Sequence, residues 1–317
     1  MISLKSKRVV ILGGAGFIGS NLSYRLVKEG ASVKIFTRAG RAIKNVSKIL
    51  NDVELVYGDF MDEVALKKAT ADADYIIHLI STTFPGTSID SGVYDIYSNL
   101  IPTIRLLEIC KSSKGGRLIY ASSGGTIYGE PKEQLITEDH PLNPKSMYGQ
   151  SKKVIESYMN FFVKNSDVNI QTLRISNPFG PYQNPYGAQG VVATAFRCAL
   201  NNSVFNVFGK GLTVRDYIFV DDVVEAMISS MKADKSHLVN ISSGVGRSVL
   251  EVVESIQKIS GREIKTKFID QREGDVEVSI LSNEKAAKVY NWRPKTNFEE
   301  GLLKTWQWIS SEISIIG

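Results

Sequence analysis

Tyr148 and Lys152 are four positions apart in the run Tyr-Gly-Gln-Ser-Lys. On a helix this spacing puts the phenol and the ammonium one turn apart on the same face. A cation so placed lowers the phenol's pKa, and a phenolate can then act as a base near neutral pH. Such a pair is common by itself and becomes specific through its company. Gly13-Gly14-Ala15-Gly16-Phe17-Ile18-Gly19 follows the apolar run at 8–12 and opens a helical stretch. Glycines at 13, 16 and 19 permit a tight turn, a close approach of backbone NH groups to a pyrophosphate, and tight packing of helix on strand. With Phe17 and Ile18, they are expected to bind a dinucleotide.

The end of the second strand bears on which dinucleotide. An acidic residue there would hold the adenosine ribose hydroxyls, but this chain has Thr37-Arg38. Arg38 suits a 2'-phosphate or stacking on adenine, so NAD and NADP both stay open at this point. Asp59 and Phe60, in Gly-Asp-Phe after the third strand, stand where the adenine amine would be met, and a loop-capping aspartate is the plainer alternative.

His78, His140 and His237 have no ligand spacing among them, so no metal is expected. Asp221-Asp222 precedes an apolar helical run and reads as its cap. Cys110 and Cys198 lie in apolar helical stretches, as buried free thiols of a reducing compartment do.

The elements that must position these groups alternate along the chain. Short β-branched runs at 8–12, 32–36, 53–57, 74–80, 117–122 and 169–175 are separated by helical patterns at about 17–29, 62–70, 91–111 and 147–163. The runs are nearly continuous in apolar residues, as strands covered on both faces are. They predict an α/β fold: a doubly wound parallel Rossmann sheet with a smaller mixed C-terminal substrate lobe. Residues 176–190 carry three prolines and three glycines without period and read as a long functional loop. Residues 1–175 are expected to form the dinucleotide-binding domain, its sheet completed by chain from about 214–241, and 176–317 mostly the substrate lobe.

The chain has 317 residues, 43% apolar and 22% charged, which excludes a disordered or disulfide-scaffold protein. Its +5 charge comes from 38 basic and 33 acidic residues spread along the chain, with no basic block longer than Lys152-Lys153. That dispersal argues against a nucleic-acid groove and fits an anionic small molecule. The basic start at Lys5, Lys7 and Arg8 imitates a signal peptide, but glycines interrupt the apolar run and no small-residue cleavage site follows. No apolar stretch approaches the ~18 residues of a membrane span, and a cytoplasmic protein is expected.

GGAGFIG, YASSGGTIYG, YGQSK, LRISNPFGPY, VRDYIFVDDV and REGD, within residues 8 to about 310, resemble as a set the extended short-chain dehydrogenase/reductases. The similarity is strongest to nucleotide-sugar 4-epimerases of the UDP-galactose 4-epimerase type. The resemblance implies a tightly held nicotinamide cofactor and a UDP-hexose substrate, with Tyr148 as base at the sugar's 4-hydroxyl and Lys152 on the nicotinamide ribose. It puts Asn99 behind the cofactor, Ser122 at the cofactor, Asn177 and Arg215 on the diphosphate, and Arg272 and Asp275 around phosphate and uridine ribose. A homodimer through the helices at 91–111 and 147–163 is a further implication, as is a place in polysaccharide synthesis.

The chain departs from the family at Gly124, where typical 4-epimerases carry a third hydroxyl that bonds the reacting sugar oxygen. Thr126 is favoured as its replacement, sharing a face with Ser122 by strand alternation, and Ser123 is the alternative. Gly125 and Thr126 stand where sugar 4,6-dehydratases carry an Asp-Glu pair, which leaves redox chemistry alone. An epimerase regenerates its cofactor each cycle, so NAD is favoured. The rival readings are an NADP-dependent 4-ketoreductase, encouraged by Thr37-Arg38, and a non-catalytic dinucleotide-binding protein, against which the intact Tyr148 and Lys152 count. Ser279, four residues beyond Asp275, stands where a tyrosine narrows related pockets to plain hexoses, so N-acetylated UDP-hexosamines are expected to fit.

Overall fold

The apolar runs form one parallel sheet, because strands that bury both faces have no solvent side to keep polar. The computed structural model describes residues 4–40, 43–84, 92–112, 117–131, 133–187, 189–271 and 275–313. The chain begins β1 (Arg8–Leu12), α1 (Phe17–Lys28), β2 (Ser32–Thr37), β3 (Val53–Tyr57), α2 (Glu63–Thr70) and β4 (Tyr75–His78). A short helix α3 (Gly92–Asp95), a π-helical turn (Ile96–Leu100) and α4 (Ile101–Ser112) lead to β5 (Arg117–Ser123). A helical turn α5 (Gly124–Ile127), then α6 (Met147–Asn165) and β6 (Asn169–Ile175), complete the first half. Strand β4 ends at His78, two residues short of the expected run, and releases Leu79 and Ile80 into the loop above the sheet.

The second half supplies β7 (Asn177–Phe179), α7 (Val191–Asn201), β8 (Phe205–Phe208), β9 (Val214–Phe219), α8 (Val220–Ser230) and β10 (His237–Ile241). After these come β11 (Gly246–Ser248), α9 (Val249–Ser260), β12 (Thr266–Ile269), β13 (Val278–Ser279), α10 (Glu284–Tyr290) and α11 (Phe298–Ile313). The large sheet runs β10-β6-β5-β4-β1-β2-β3 and is parallel throughout. Of the segment expected to complete it, β10 does so, whereas β9 lies in a smaller mixed sheet with β7, β11 and β13. The long loop after β6 is also partly regular, since β7 pairs with β9.

Strand alternation divides the core of the large sheet. Val9, Ile11 and Ile35 pack with Leu22 and Leu26 of α1 and Val223 and Met227 of α8. On the opposite face, Val10, Leu12 and Ile76 meet Leu106 and Leu107 of α4 and Ile155 and Met159 of α6. A separate apolar cluster under the small lobe joins Phe196, Phe219, Val252 and Leu302.

Asp221 and Asp222 do not cap their helix: Phe219 is the capping position, and both aspartates lie in the first turn of α8. The Asp222 carboxylate instead accepts the backbone NH groups of Lys295 and Thr296, at 2.9 and 3.0 Å, and pins the chain ahead of α11. The reason is that a side chain inside the first turn points away from the helix's own end, and Asp222 meets instead the backbone NH groups of a segment some seventy residues away in sequence.

Candidate active site

In an open parallel sheet, ligands bind beyond the carboxyl ends of the strands where the strand order reverses. Here the order reverses between β1 and β4, and a cleft of about 360 Å³ opens there. Gly13, Gly16, Phe17, Ile18, Gly19, Thr37, Arg38, Asp59 and Phe60 all line it. Gly13 has φ +88°, a conformation that favours glycine. A Cβ at Gly19 would run into the carbonyl oxygen of Gly13 and stand 2.7 Å from Gly14 Cα, so helix and turn can close only on a glycine. Gly16 is the N-cap of α1 and makes no side-chain capping bond, which leaves the first NH groups of the helix for a ligand. This cradle fits a dinucleotide pyrophosphate. The Asp59 Oδ1 accepts the Met61 NH at 2.9 Å, so the loop-capping role is real while the residue still lines the cleft.

Tyr148 and Lys152 fall in the first turns of α6, capped by Ser146, whose hydroxyl accepts the Gly149 NH. The Lys152 ammonium is buried 5.5 Å from the Tyr148 ring centroid and 4.7 Å from that of Tyr120, and donates to the Ala121 carbonyl at 3.2 Å. Burial lowers its pKa to about 8, opposed by the charges of Asp95 and Glu156. Loss of hydration likewise raises the Tyr148 phenol to about 12, while hydrogen bonds with Ser123 and Ser81 pull it down and the charge of Asp95 adds to the rise. The protein alone therefore holds a neutral phenol beside a lysine that titrates close to physiological pH.

The hydroxyls near the phenol are arranged by α5 rather than by strand alternation. The chain leaves β5 after Ser123 and turns helically, so Thr126 comes back over Ser123 and donates to its Oγ at 2.9 Å. The Ser123 hydroxyl lies close enough to the Tyr148 phenol to pull its pKa down, and Thr126 is bonded to Ser123. Of the two hydroxyls expected near the phenol, the helical turn therefore brings up Ser123, the alternative to the favoured Thr126. Ser122, expected at the cofactor, instead donates to Glu156 Oε1 at 2.6 Å, within a buried pair in which Arg174 Nη2 stands 2.6 Å from Glu156 Oε2. Ala121 is the β5 residue that lines the cleft.

Asn99, in the π-helical turn, lies behind the cleft, whereas its neighbour Ser98 lines it. Its Oδ1 accepts the Thr82 NH at 2.9 Å, and its Nδ2 donates to Thr82 Oγ1 at 2.7 Å and Asp95 Oδ1 at 3.0 Å. Ser81, Thr82, Tyr94, Ser98 and Gln189 were missed by motif reading, although they line the cleft. Ser81, Thr82 and Gln189 come from loops, and Tyr94 and Ser98 from α3 and the π-helical turn, none with a recurrent pattern, and only the position of the strand-order reversal points to this region after β4.

At the other end, Asn177 and Arg215 lie on β7 and β9. Asn177 Nδ2 donates to the Asp216 carbonyl at 3.2 Å. Arg215 Nη2 contacts Asp275 Oδ1 at 2.5 Å, so two residues expected around the nucleotide hold each other. Ser279 is buried and stands in register opposite Arg215. The buried Asp216 carboxylate accepts from Ser243, Gly244 and Leu281 NH groups and fixes the strand carrying Arg215. Arg272 lies outside the described residues.

His78 is buried, within 3.0 Å of Thr103 Oγ1 through Nε2, and burial lowers its pKa to about 3. Among the described residues, no three His, Cys, Asp or Glu side chains gather as metal ligands, and no helix is long and apolar enough to cross a membrane.

Comparison with known proteins gives this arrangement its relatives. Residues 10–305 match the family model described as GDP-mannose 4,6 dehydratase. The UDP-glucose 4-epimerase of Mycolicibacterium smegmatis is 33% identical over 304 residues, covering 94% of this chain and 97% of that protein. The structure of the Thermus thermophilus UDP-glucose 4-epimerase in complex with NAD superposes with a TM-score of 0.89 at 31% identity, over 96% of this chain and 99% of the other. The UDP-N-acetylglucosamine 4-epimerase of Methanobrevibacter ruminantium, in complex with UDP-N-acetylmuramic acid, gives 0.91 at 27% identity, over 97% and 99%. With its dinucleotide cradle, its tyrosine-lysine helix and these relatives, the chain belongs to the GDP-mannose 4,6 dehydratase family of extended short-chain dehydrogenase/reductases.

Proposed function

We propose that this protein interconverts UDP-hexoses at C4 with NAD, and that UDP-N-acetylhexosamines are among its substrates. It is an enzyme of the UDP-sugar 4-epimerase type, as the relatives along its whole length are. The observation that carries the reading is the meeting of Tyr148, Ser123 and Ser81 beside Lys152, next to a cleft lined by the glycine turn.

In this reading Gly13, Gly16 and Gly19 with the N-terminus of α1 hold the pyrophosphate, and Asp59, Thr37 and Arg38 meet the adenosine. The dinucleotide supplies a hydride acceptor that returns the hydride within the same cycle. Tyr148 takes the proton of the sugar's 4-hydroxyl and gives it back, Ser123 bonds the reacting oxygen with Thr126 supporting it, and Lys152 holds the nicotinamide ribose and favours the phenolate. Asn177, Arg215, Arg272 and Asp275 bind the UDP, for which Arg215 exchanges part of its pairing with Asp275 for the diphosphate. Residues 1–175 with β10 form the dinucleotide half, and most of 176–317 the substrate half.

The small Ser279 side chain supports acceptance of an acetamido group, and the Methanobrevibacter relative acts on a sugar of that kind by name. We take the working form to be a homodimer through α3, α4 and α6, where Val93, Tyr97, Tyr158 and Phe161 are exposed, and the compartment to be the reducing cytoplasm, which suits the free Cys110 and Cys198.

The test incubates the purified protein with UDP-glucose and UDP-N-acetylglucosamine separately, resolves the 4-epimers, and identifies the dinucleotide released on denaturation. Both epimers and released NAD are expected. No epimer from either sugar, or net reduction that consumes NADPH, refutes the reading.

A further inference from the structure

Behind the Tyr148 and Lys152 pair lies a buried carboxylate to which the reaction assigns no part. Asp95 closes α3 immediately before the π-helical turn and is 1% exposed. Its Oδ1 is used twice, accepting from the Thr83 hydroxyl and from Asn99 Nδ2. Its Oδ2 is buried and has no hydrogen-bond partner among the described residues. A buried, half-satisfied carboxylate is costly unless a cation compensates it. Helix α3 packs against α6, which carries the buried Lys152 ammonium.

We propose that Asp95 is a positioning residue for the Tyr148 and Lys152 pair, anchoring the loop 81–83 through Oδ1 while its charge serves as counter-ion to the buried ammonium. The anchoring is local and visible. Thr82 and Thr83 are tied to Asn99, Thr83 also to Asp95, and Ser81 donates to the Thr83 carbonyl at 2.9 Å. Ser81 in turn lies near the Tyr148 phenol and pulls its pKa down. A shift of Asp95 thus reaches the reacting tyrosine through two residues of one loop.

Other charges around the ammonium are already spent. Glu156, one turn along α6, is held by Arg174 of β6 and by Ser122. Tyr120 of β5 offers its ring to Lys152, and its hydroxyl is buried without a partner. His78 of β4 is kept neutral by burial. Of the two charges that hold Lys152 protonated, Asp95 acts more strongly, and the same charge opposes ionisation of Tyr148. Both effects have one sign: removing the negative charge lowers both pKa values.

The inference rests on Tyr148 and Lys152 being the acid-base pair, and its test separates the two. Asp95→Asn keeps the shape and an acceptor for Thr83 and Asn99 but removes the charge. Tyrosinate absorbance is followed against pH in the purified protein, with the Tyr148→Phe signal subtracted in each background so that the difference belongs to Tyr148. The alkaline limb of kcat is recorded in parallel. In Asp95→Asn both midpoints are expected to move to lower pH, by at least about half a unit. Thr83→Val, which loosens the loop but leaves the charge, is expected to lower kcat with both midpoints in place. Unmoved midpoints in Asp95→Asn, or an equal movement in Thr83→Val, overturn the proposal. If Asp95→Asn does not fold, Asp95→Ser is measured against the same criteria. A wild-type protein without epimerase activity refutes the functional reading, and the tyrosinate midpoint still decides the role of Asp95.

Discussion

Gly124 lies directly against Leu281. A Cβ added at Gly124 would collide with Leu281 Cδ1 and stand 3.0 Å from the Arg174 carbonyl oxygen, so a side chain there requires the Leu281 methyl to move and the backbone to yield slightly. Leu281 is itself fully buried, with Ile127, Tyr128 and Ile136. Gly124 thus suits the crowding at Leu281, and the helical turn that starts there leaves the Ser123 hydroxyl near Tyr148.

The first prediction follows from that geometry. Tyr148→Phe is expected to keep fold and cofactor but lower turnover at least ~100-fold, the usual contribution of a positioned acid-base group. Ser123→Ala is expected to lower kcat more than Thr126→Ala, because Ser123 lies near enough to the phenol to shift its pKa whereas Thr126 is bonded to Ser123. Steady-state kinetics on the three variants decides the order. A larger loss from Thr126→Ala would restore Thr126 as the reacting hydroxyl.

Where the physics is local, the sequence was readable. Continuous apolar runs gave strands such as Asn169–Ile175 to the residue, and the nine residues assigned to the cofactor from the glycine turn and the ends of β2 and β3 all line the cleft. Groups whose partners lie far away in sequence were not readable. Whether Ser122 or Ser123 faces the site depends on where β5 gives way to the helical turn at Gly124, and the residue packed against that turn, Leu281, is more than 150 positions away. Asp222 looked like a cap because its true partners, the NH groups of Lys295 and Thr296, leave no mark near it.

Acid should weaken the fold through His78. Its folded pKa is about 3 against 6.5 for the free side chain, so between these values the unfolded chain binds the extra proton. Stability contributed by the neutral imidazole is complete above pH 6.5 and is lost as pH falls towards 3, with a slope of at most ~1.4 kcal/mol per pH unit. His78→Phe should fit between the rings of Phe60 and Tyr120, which lie 4.8 and 5.2 Å from the imidazole. Urea unfolding at several pH values is expected to show a shallower acid decline in this variant. An identical decline would mean that other groups carry the acid sensitivity.

The exposed aromatic residues of α6 and the π-helical turn predict an association surface. Tyr97 and Phe161 are each 60% exposed, on helical segments that border each other. Large exposed apolar patches on soluble proteins mark interaction sites. Phe161→Glu is expected to convert a dimer into monomers in sedimentation or light scattering, with the cleft untouched. A wild-type protein that is already monomeric at micromolar concentration removes the basis for the dimer.

The proposed substrate breadth is tested at Ser279. It lies in β13, buried, paired in register with Arg215, on the strand that carries the chain away from Asp275. A serine there takes far less volume than a tyrosine, and a pocket closed by a ring rejects an added acetamido group through steric overlap. Ser279→Tyr is therefore expected to abolish epimerisation of UDP-N-acetylglucosamine while UDP-glucose is still turned over. Because the site is buried, the larger side chain also costs stability, of order 1–3 kcal/mol if the neighbours do not yield. Thermal unfolding of the variant separates that general cost from selective loss: a variant that folds and loses both sugars alike is damaged rather than gated. One that folds and retains full activity on the acetylated sugar shows that another side chain closes the pocket.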